Sequence, residues 1–573
     1  MDFVVNDTKP KRNFLGVNFQ LDNWESVKPF YENLNGREIN NTDDLMLFFA
    51  NRSELESYIS ENFAWRYIKM TCDTSNKEIK ANYDQFVIEI QPELSAYDDI
   101  LNKKILESSY LDNLQGKGFE IAVKGMKISS EIFKNVNIPL FTEIQKLSSD
   151  YQATIGAMTV EIGGKTLTLQ QAGVFLESTN RLEREEAYLK IQNQRLSEQE
   201  KLDNIFDKLI KLRHQIAVNA GFENFRDYSF AALKRFDYTK NECFKFHEAV
   251  AKTVVPLLND AARKRKNLLA LENLKPWDKA VDTKGRPSLK PFDGCDDLLD
   301  KTIRCFTKLD PFLGDCMQKM KDKNRLDLES RIGKAPGGYN YPLEETGFPF
   351  IFMNASTLMR DVITLLHEGG HAVHSILTKD LEINYFRNFP SEVAELASMS
   401  MELITMDYWD VYFDNEEDLK RAKIQHLEDI ISTLPWVATI DKFQHWIYEN
   451  PQHSPLERQK EWLNIYEQFA DNETNWSGSE QFKRFMWHRQ LHVFELPFYY
   501  IEYGIAQLGA IGVWKNYKEN PQKGLEGYLK ALQLGYTQPI AKIYETAGIN
   551  FDFSEENISN LMLFVRKELD LLY

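Results

Sequence analysis

Apolar positions recur every three to four residues along most of the chain, the spacing of one buried helix face. Residues 24–34, 43–72, 75–93 and 95–113 read as amphipathic helices separated by short polar breaks. Residues 154–172 follow another rule. Ala157-Met-Thr-Val-Glu-Ile162 and Lys165-Thr-Leu-Thr-Leu169 alternate about Gly163-Gly164, which predicts a hairpin. Helical spacing resumes over 180–220, where Asn180 followed by Glu183 resembles a capping box. Residues 270–295 are rich in Pro, Gly and Asp and read as a long loop, a class that is usually functional or mobile. Between 327 and 357, Gly337-Gly338 marks a turn or flexible loop and Phe350-Ile-Phe-Met-Asn354 a short strand. Helices fill the rest, so the expected class is mainly α, with a small β element.

Composition narrows the function. Of 573 residues, 43% are hydrophobic and 27% charged, an ordinary globular balance. The 69 Lys+Arg against 86 Asp+Glu leave a net charge of −17, which argues against nucleic-acid and anionic-membrane partners. No run approaches the ~18 apolar residues of a membrane span. The five cysteines include no CxxC pair and are odd in number, which suggests a reducing compartment. The first residues, Met-Asp-Phe-Val-Val-Asn-Asp-Thr, lack a basic segment followed by an apolar one. A cytoplasmic protein is expected; nothing in the sequence sets its oligomeric state.

The chemistry concentrates in residues 358–378. His367-Glu368-Gly369-Gly370-His371 is an HExxH motif on a helical pattern, with apolar residues at 358, 362, 365, 366, 373, 376 and 377. Residues four apart share a helix face, so His367 and His371 can hold one metal ion, and Glu368 can reach a water beside it. Two mid-helix glycines cost roughly 1 kcal/mol each relative to Ala. Close approach of a neighbouring helix or a substrate strand would account for them. A catalytic zinc site needs a third protein ligand and an open position. The next helical segment, opening at Pro390-Ser391, offers Glu392, Glu395 and Glu402 among small apolar residues, where a buried carboxylate needs a partner. Residue spacing alone does not choose among the three.

Near the C-terminus Pro497 fits the first position of a helix. Tyr499 and Tyr503 then share a face, with Tyr500 beside them and His492 in a preceding loop. On the residues alone such an aromatic stripe reads as core.

These segments together resemble the M3 family of zinc peptidases, the thimet oligopeptidase and oligoendopeptidase F group. The matching stretches are Leu-Leu-His-Glu-Gly-Gly-His-Ala-Val-His, Ser-Glu-Val-Ala-Glu395-Leu-Ala-Ser, Leu-Lys-Pro-Trp-Asp at 274–278, Lys-Ala-Pro-Gly-Gly-Tyr at 334–339 and His492-Val-Phe-Glu-Leu-Pro-Phe-Tyr-Tyr-Ile-Glu-Tyr503-Gly. The similarity runs from about residue 180 to 570. Gly369 departs from the Phe or Ala that members often carry there, at a variable position. Met399 stands where thermolysin-like enzymes have an acid that hydrogen-bonds a ligating histidine, which leaves Glu402 to orient one of the two histidines.

The resemblance implies a two-lobed helical metallopeptidase with a deep central channel that admits short flexible peptides. It implies 1–180 as an N-terminal helical region and 181–573 as the zinc peptidase catalytic region. It implies one zinc ion on His367, His371 and Glu395, with Glu368 as general base. His492, Tyr499 and Tyr503, with a weaker case for Tyr500, would donate hydrogen bonds to the oxyanion. His374, one turn past His371, is expected to pack rather than bind. The expected activity is hydrolysis of internal bonds in short peptides. The alternatives are a zinc carboxypeptidase or dipeptidase on a similar scaffold, and a non-catalytic peptide-binding zinc protein.

Overall fold

A computed structural model of the chain describes residues 3–8, 11–331, 333–335 and 337–573. Helices dominate. The strands are β1 (Thr159–Ile162), β2 (Lys165–Thr168), β3 (Leu326–Glu329), β4 (Tyr339–Tyr341) and β5 (Phe350–Ala355). The chain forms two compact units, each built from three separated segments. The first holds Met1–Asn135, Lys290–Leu419 and Gly509–Phe551; the second holds Val136–Leu289, Lys420–Leu508 and Asp552–Tyr573.

In the first unit, Asn23 and Asn41 cap the helices Trp24–Gly36 and Thr42–Cys72 through their side-chain oxygens. Their apolar faces meet those of Gln91–Leu106 and Lys117–Ile132 around Phe48, Phe49, Leu101, Ile105 and Met126. Each such side chain contributes roughly 1.5–3 kcal/mol on burial. The expected break near residue 94 is absent. Lys77–Gln85 runs through a π turn, Phe86–Ile90, straight into Gln91–Leu106. Pro92 removes a donor and crowds the carbonyl four residues back, and a widened turn absorbs both effects without ending the helix. Beyond Leu106 the expected helix gives way to a turn and a short 3₁₀ segment, Leu111–Asn113.

The same unit holds a three-stranded sheet in the order β3-β5-β4, parallel then antiparallel. The strand expected at 350–354 is therefore central. Its run Phe350-Ile-Phe-Met353 is buried throughout, as suits a strand covered on both faces. Lys334, from the segment before β4, is buried and donates to the Asp327 carboxylate at 2.9 Å and to the carbonyls of Glu329 and Met353. Pro336 of that segment lies outside the described residues. Gly337 follows with φ +96, a backbone only glycine takes readily.

In the second unit, β1 and β2 pair antiparallel about Gly163-Gly164, with Val160 opposite Leu167. The flanks at 154–156 and 169–172 are helical, so the hairpin is shorter than the alternation suggests. Asn180 caps Arg181–Ser197 by accepting from Leu182 N. The reciprocal half of a capping box is missing, because Glu183 bonds the Asn180 and Ser178 side chains instead. The long loop at 270–295 is pinned: Asp278, fully buried, takes Arg181 at 2.8 Å and Arg184 at 2.9 Å.

Among the described residues no helix is long and apolar enough to cross a membrane, and the cysteines form no disulfide.

Candidate metal centre

The HExxH segment is the helix Met359–Thr378 of the first unit. Asp361 fixes its start by accepting from Ser356 N at 2.7 Å and Leu358 N at 3.0 Å. The next long helix, Ser391–Ile404, begins after Pro390 and buries Glu392 and Glu395. The two motif glycines explain how these helices meet. A Cβ on Gly370 would lie 2.7 Å from the Ala397 carbonyl oxygen and 2.7 Å from Ser398 Cα. Gly370 therefore lets one backbone rest on the other. A Cβ on Gly369 would meet the tip of the Phe306 ring at 2.7 Å, on the helix Gly294–Leu309. The close approach the glycines call for is thus made by helices.

This crossing brings His367, His371 and Glu395 together, with one ligand atom of each within 4.8 Å of the others. A single carboxylate oxygen serves both rings: Glu395 Oε2 is 3.2 Å from His367 Nε2 and 3.6 Å from His371 Nε2. Ser398 Oγ donates to that oxygen at 3.0 Å. Glu402 lies on the far side of His367, its Oε1 2.6 Å from Nδ1. Glu392, one turn before Glu395, is not part of the cluster. Tyr528 and Tyr544 anchor this helix by donating to the carbonyls of Ala397 at 2.7 Å and Glu392 at 3.1 Å.

The electrostatics follow from burial against carboxylates. Burial disfavours a charged His367, but hydrogen bonds and charge from Glu395 and Glu402 overcome it and hold the ring well above its usual value. Burial pushes His371 down to about 4. Burial also raises Glu368 to about 7, against the pull of His367 and with the push of Glu395 and Glu402. A carboxyl so raised is poised to exchange a proton near neutral pH. The Glu368 carbonyl accepts from Asn340 Nδ2 at 3.2 Å, which ties β4 to the motif. His374 is buried, stacks on Phe389 with ring centroids 3.6 Å apart, and is pushed by burial to about 3. It packs, as expected.

The aromatic segment belongs to the second unit. His492 sits on a short helix, Leu491–Glu495, not in a loop. The following helix starts at Tyr500, not at Pro497. Between them Phe498 takes φ +67, a region bulky residues avoid. Its N–H donates to Gln444 Oε1 at 2.8 Å, and its carbonyl accepts from Arg235, which also pairs with Glu502. This pinned turn delays the helix. Within the segment Gln490 Nε2 donates to His492 Nδ1 at 2.9 Å, which leaves the ring proton on Nε2, 3.3 Å from the Tyr503 hydroxyl. Tyr499, Tyr500 and Tyr503 place their rings 5.1 to 5.6 Å from that of His492.

Sequence reasoning did not single out Asn340, Ser398 or Gln490. Ser398 had a signal, since it stands one turn after Glu395; Asn340 is brought in only by the sheet.

The donor set fits a zinc ion chemically: two imidazoles and one carboxylate, with a further carboxylate on the outer nitrogen of one imidazole.

Residues 174–292 and 311–563 match Peptidase family M3, and residues 14–133 match the Peptidase M3 N-terminal domain. The chain is 24% identical over 496 residues to an oligoendopeptidase F homolog of Borreliella burgdorferi, covering 82% of this chain and 80% of that one. The solved structure of PZ peptidase A with inhibitor 2 superposes with a TM-score of 0.91 at 26% identity, covering 97% of this chain and 99% of the other. Oligoendopeptidase-F from Enterococcus faecium, at 16% identity and a TM-score of 0.64 over 96% of this chain and 97% of its own, shares the fold. The chain belongs to peptidase family M3.

Proposed function

We propose that this peptidase hydrolyses internal bonds of short oligopeptides at one zinc ion held by His367, His371 and Glu395. The observation that carries the reading is the shared Glu395 oxygen facing both imidazoles, with Glu368 in the adjoining position of the same helix. Zinc in that set supplies a Lewis acid that lowers the pKa of water toward about 7. Glu368 takes a proton from the attacking water and later delivers it to the leaving amine. Glu402 holds His367 in the tautomer that turns Nε2 inward. The M3 resemblance assigns His492, Tyr499 and Tyr503 as donors to the developing oxyanion, and within their segment Gln490 keeps the His492 proton on Nε2.

β5 cannot align a substrate by strand addition, since both of its edges are taken by β3 and β4. An outer edge of that sheet is the one open to strand addition. β4 is favoured because Asn340 ties it to the motif. Residues 181–573 carry the chemistry, with 1–180 as the N-terminal region. The chain acts in the cytoplasm on short peptides, with no nucleic-acid or membrane partner.

Incubation of the purified chain with a mixed peptide library, followed by mass spectrometry, tests the reading. Internal cuts that stop with chelator and return with zinc are expected. Stepwise terminal losses would support the carboxypeptidase or dipeptidase alternative, and binding without cleavage the non-catalytic one.

A further inference from the structure

We propose that the second unit carries a metal site of its own, in which Cys243, Asp441 and His445 bind a zinc ion. Cys243 and His247 stand four apart on the helix Lys240–Thr253, and Asp441 and His445 stand four apart on the helix Glu416–Glu449. Each pair therefore shares one helix face. The helices present these faces to each other, and one ligand atom each of Cys243, Asp441 and His445 lies within 4.8 Å of the others. All three are buried, at 1%, 0% and 2% exposure.

Three polar atoms in this dry place are unmatched. His445 Nδ1, His445 Nε2 and Asp441 Oδ1 have no hydrogen-bond partner, which native cores avoid. His247 Nε2 is 2.8 Å from the other carboxylate oxygen, Asp441 Oδ2, and His445 Nε2 is 3.4 Å from it. A plain ion pair of His247 with Asp441 would leave all three orphans in place. A divalent cation takes one nitrogen of His445 and one oxygen of Asp441, and its charge balances one thiolate and one carboxylate beside a neutral imidazole. His247 completes a tetrahedral set by exchanging its hydrogen bond for the ion, or stays behind Asp441 as its orienting partner.

The surroundings assign the role. The rings of Phe244, Phe498 and Phe230 lie 4.9, 5.2 and 6.0 Å from that of His445 and exclude water. A closed thiolate-containing set of this kind is structural. It would staple Lys240–Thr253 to Glu416–Glu449, two helices of one unit that are nearly two hundred residues apart in sequence.

The test uses the full chain with His367→Ala and His371→Ala, which removes the HExxH set and separates this proposal from the proposed function. After zinc loading and desalting, about one equivalent of zinc per chain is expected, falling below about a tenth when Cys243→Ala is added. The cobalt-loaded double variant is expected to show thiolate-to-cobalt charge-transfer absorption, a reading that needs no change in the core and so survives misfolding of the Cys243 variant. A double variant that retains no metal, or one whose cobalt spectrum lacks the thiolate band, overturns the proposal.

Discussion

Glu402 Oε1 lies 2.6 Å from His367 Nδ1, on the side of the ring opposite Glu395. The imidazole is thus held between two carboxylates from one helix, two turns apart. A carboxylate on the outer nitrogen raises the basicity of the inner one and fixes the ring's orientation. Glu402→Ala is expected to weaken zinc binding by about 10–100-fold. Glu402→Gln, which still accepts a hydrogen bond, should lose less. Competition against a chelator of known affinity measures both; equal affinity in all three proteins would remove Glu402 from the site.

Glu368 touches no other member of the cluster by a side-chain hydrogen bond, which suits a base and not a ligand. Glu368→Gln should keep its zinc and its thermal midpoint while hydrolysis of a quenched octapeptide falls by at least ~10²-fold. Turnover within tenfold of the parent protein, at full metal content, would rule Glu368 out as the proton acceptor.

The two glycines of the motif should differ in sensitivity. At Gly370 an added methyl meets backbone, the Ala397 carbonyl and Ser398 Cα, neither of which can turn aside. Overpacking of this kind costs typically ~1–3 kcal/mol, more than the ~1 kcal/mol that Ala gains over Gly in a helix. Gly370→Ala is expected to lower the urea midpoint and to loosen metal binding, since it wedges apart the helices that carry the ligands. At Gly369 the obstacle is the tip of the Phe306 ring, which can shift. Gly369→Ala should fold with a midpoint nearer the parent's. The reverse order would contradict the packing described.

Glu344 supplies a pH test away from the metal set. Its Oε2 is buried without a hydrogen-bond partner, and burial raises its carboxyl to about 7 from an ordinary 4.5, although Arg387 pulls the other way. The unfolded chain therefore releases this proton earlier than the folded one. The group's contribution to stability is complete below about pH 4.5, declines as pH rises, and is gone above about 7. Glu344→Gln should remove that slope and be relatively most stabilising above pH 7. Urea midpoints between pH 4.5 and 8 measure it; parallel curves for the two proteins would show that the carboxyl is ordinary.

Much of the candidate site is legible in the sequence because it is local. His367 and His371 are four apart, so any helix joins their faces, and the apolar spacing at 358–378 declares the helix. The candidate metal group draws its third member from the next long helix, Ser391–Ile404. Its choice among Glu392, Glu395 and Glu402 was open on spacing alone, since all three fall within a few turns. That choice depends on where two helices cross, and the crossing is set by the backbone contact at Gly370. The Pro497 start failed for a related reason. Proline permits a helix there, but Phe498 is held at φ +67 by Gln444 and Arg235, from elsewhere in the chain.

By itself, then, the chain's order of residues determined the helical class, the hairpin about Gly163-Gly164 and the pairing of His367 with His371, all of which rest on periodicities of two to four residues. Tertiary structure alone decided that β5 is central and closed to substrate, that Glu402 faces His367, and that Cys243 meets Asp441 and His445. Those relations join segments distant in sequence, and they are settled by which apolar faces bury each other, a property of the packed whole that no local period encodes.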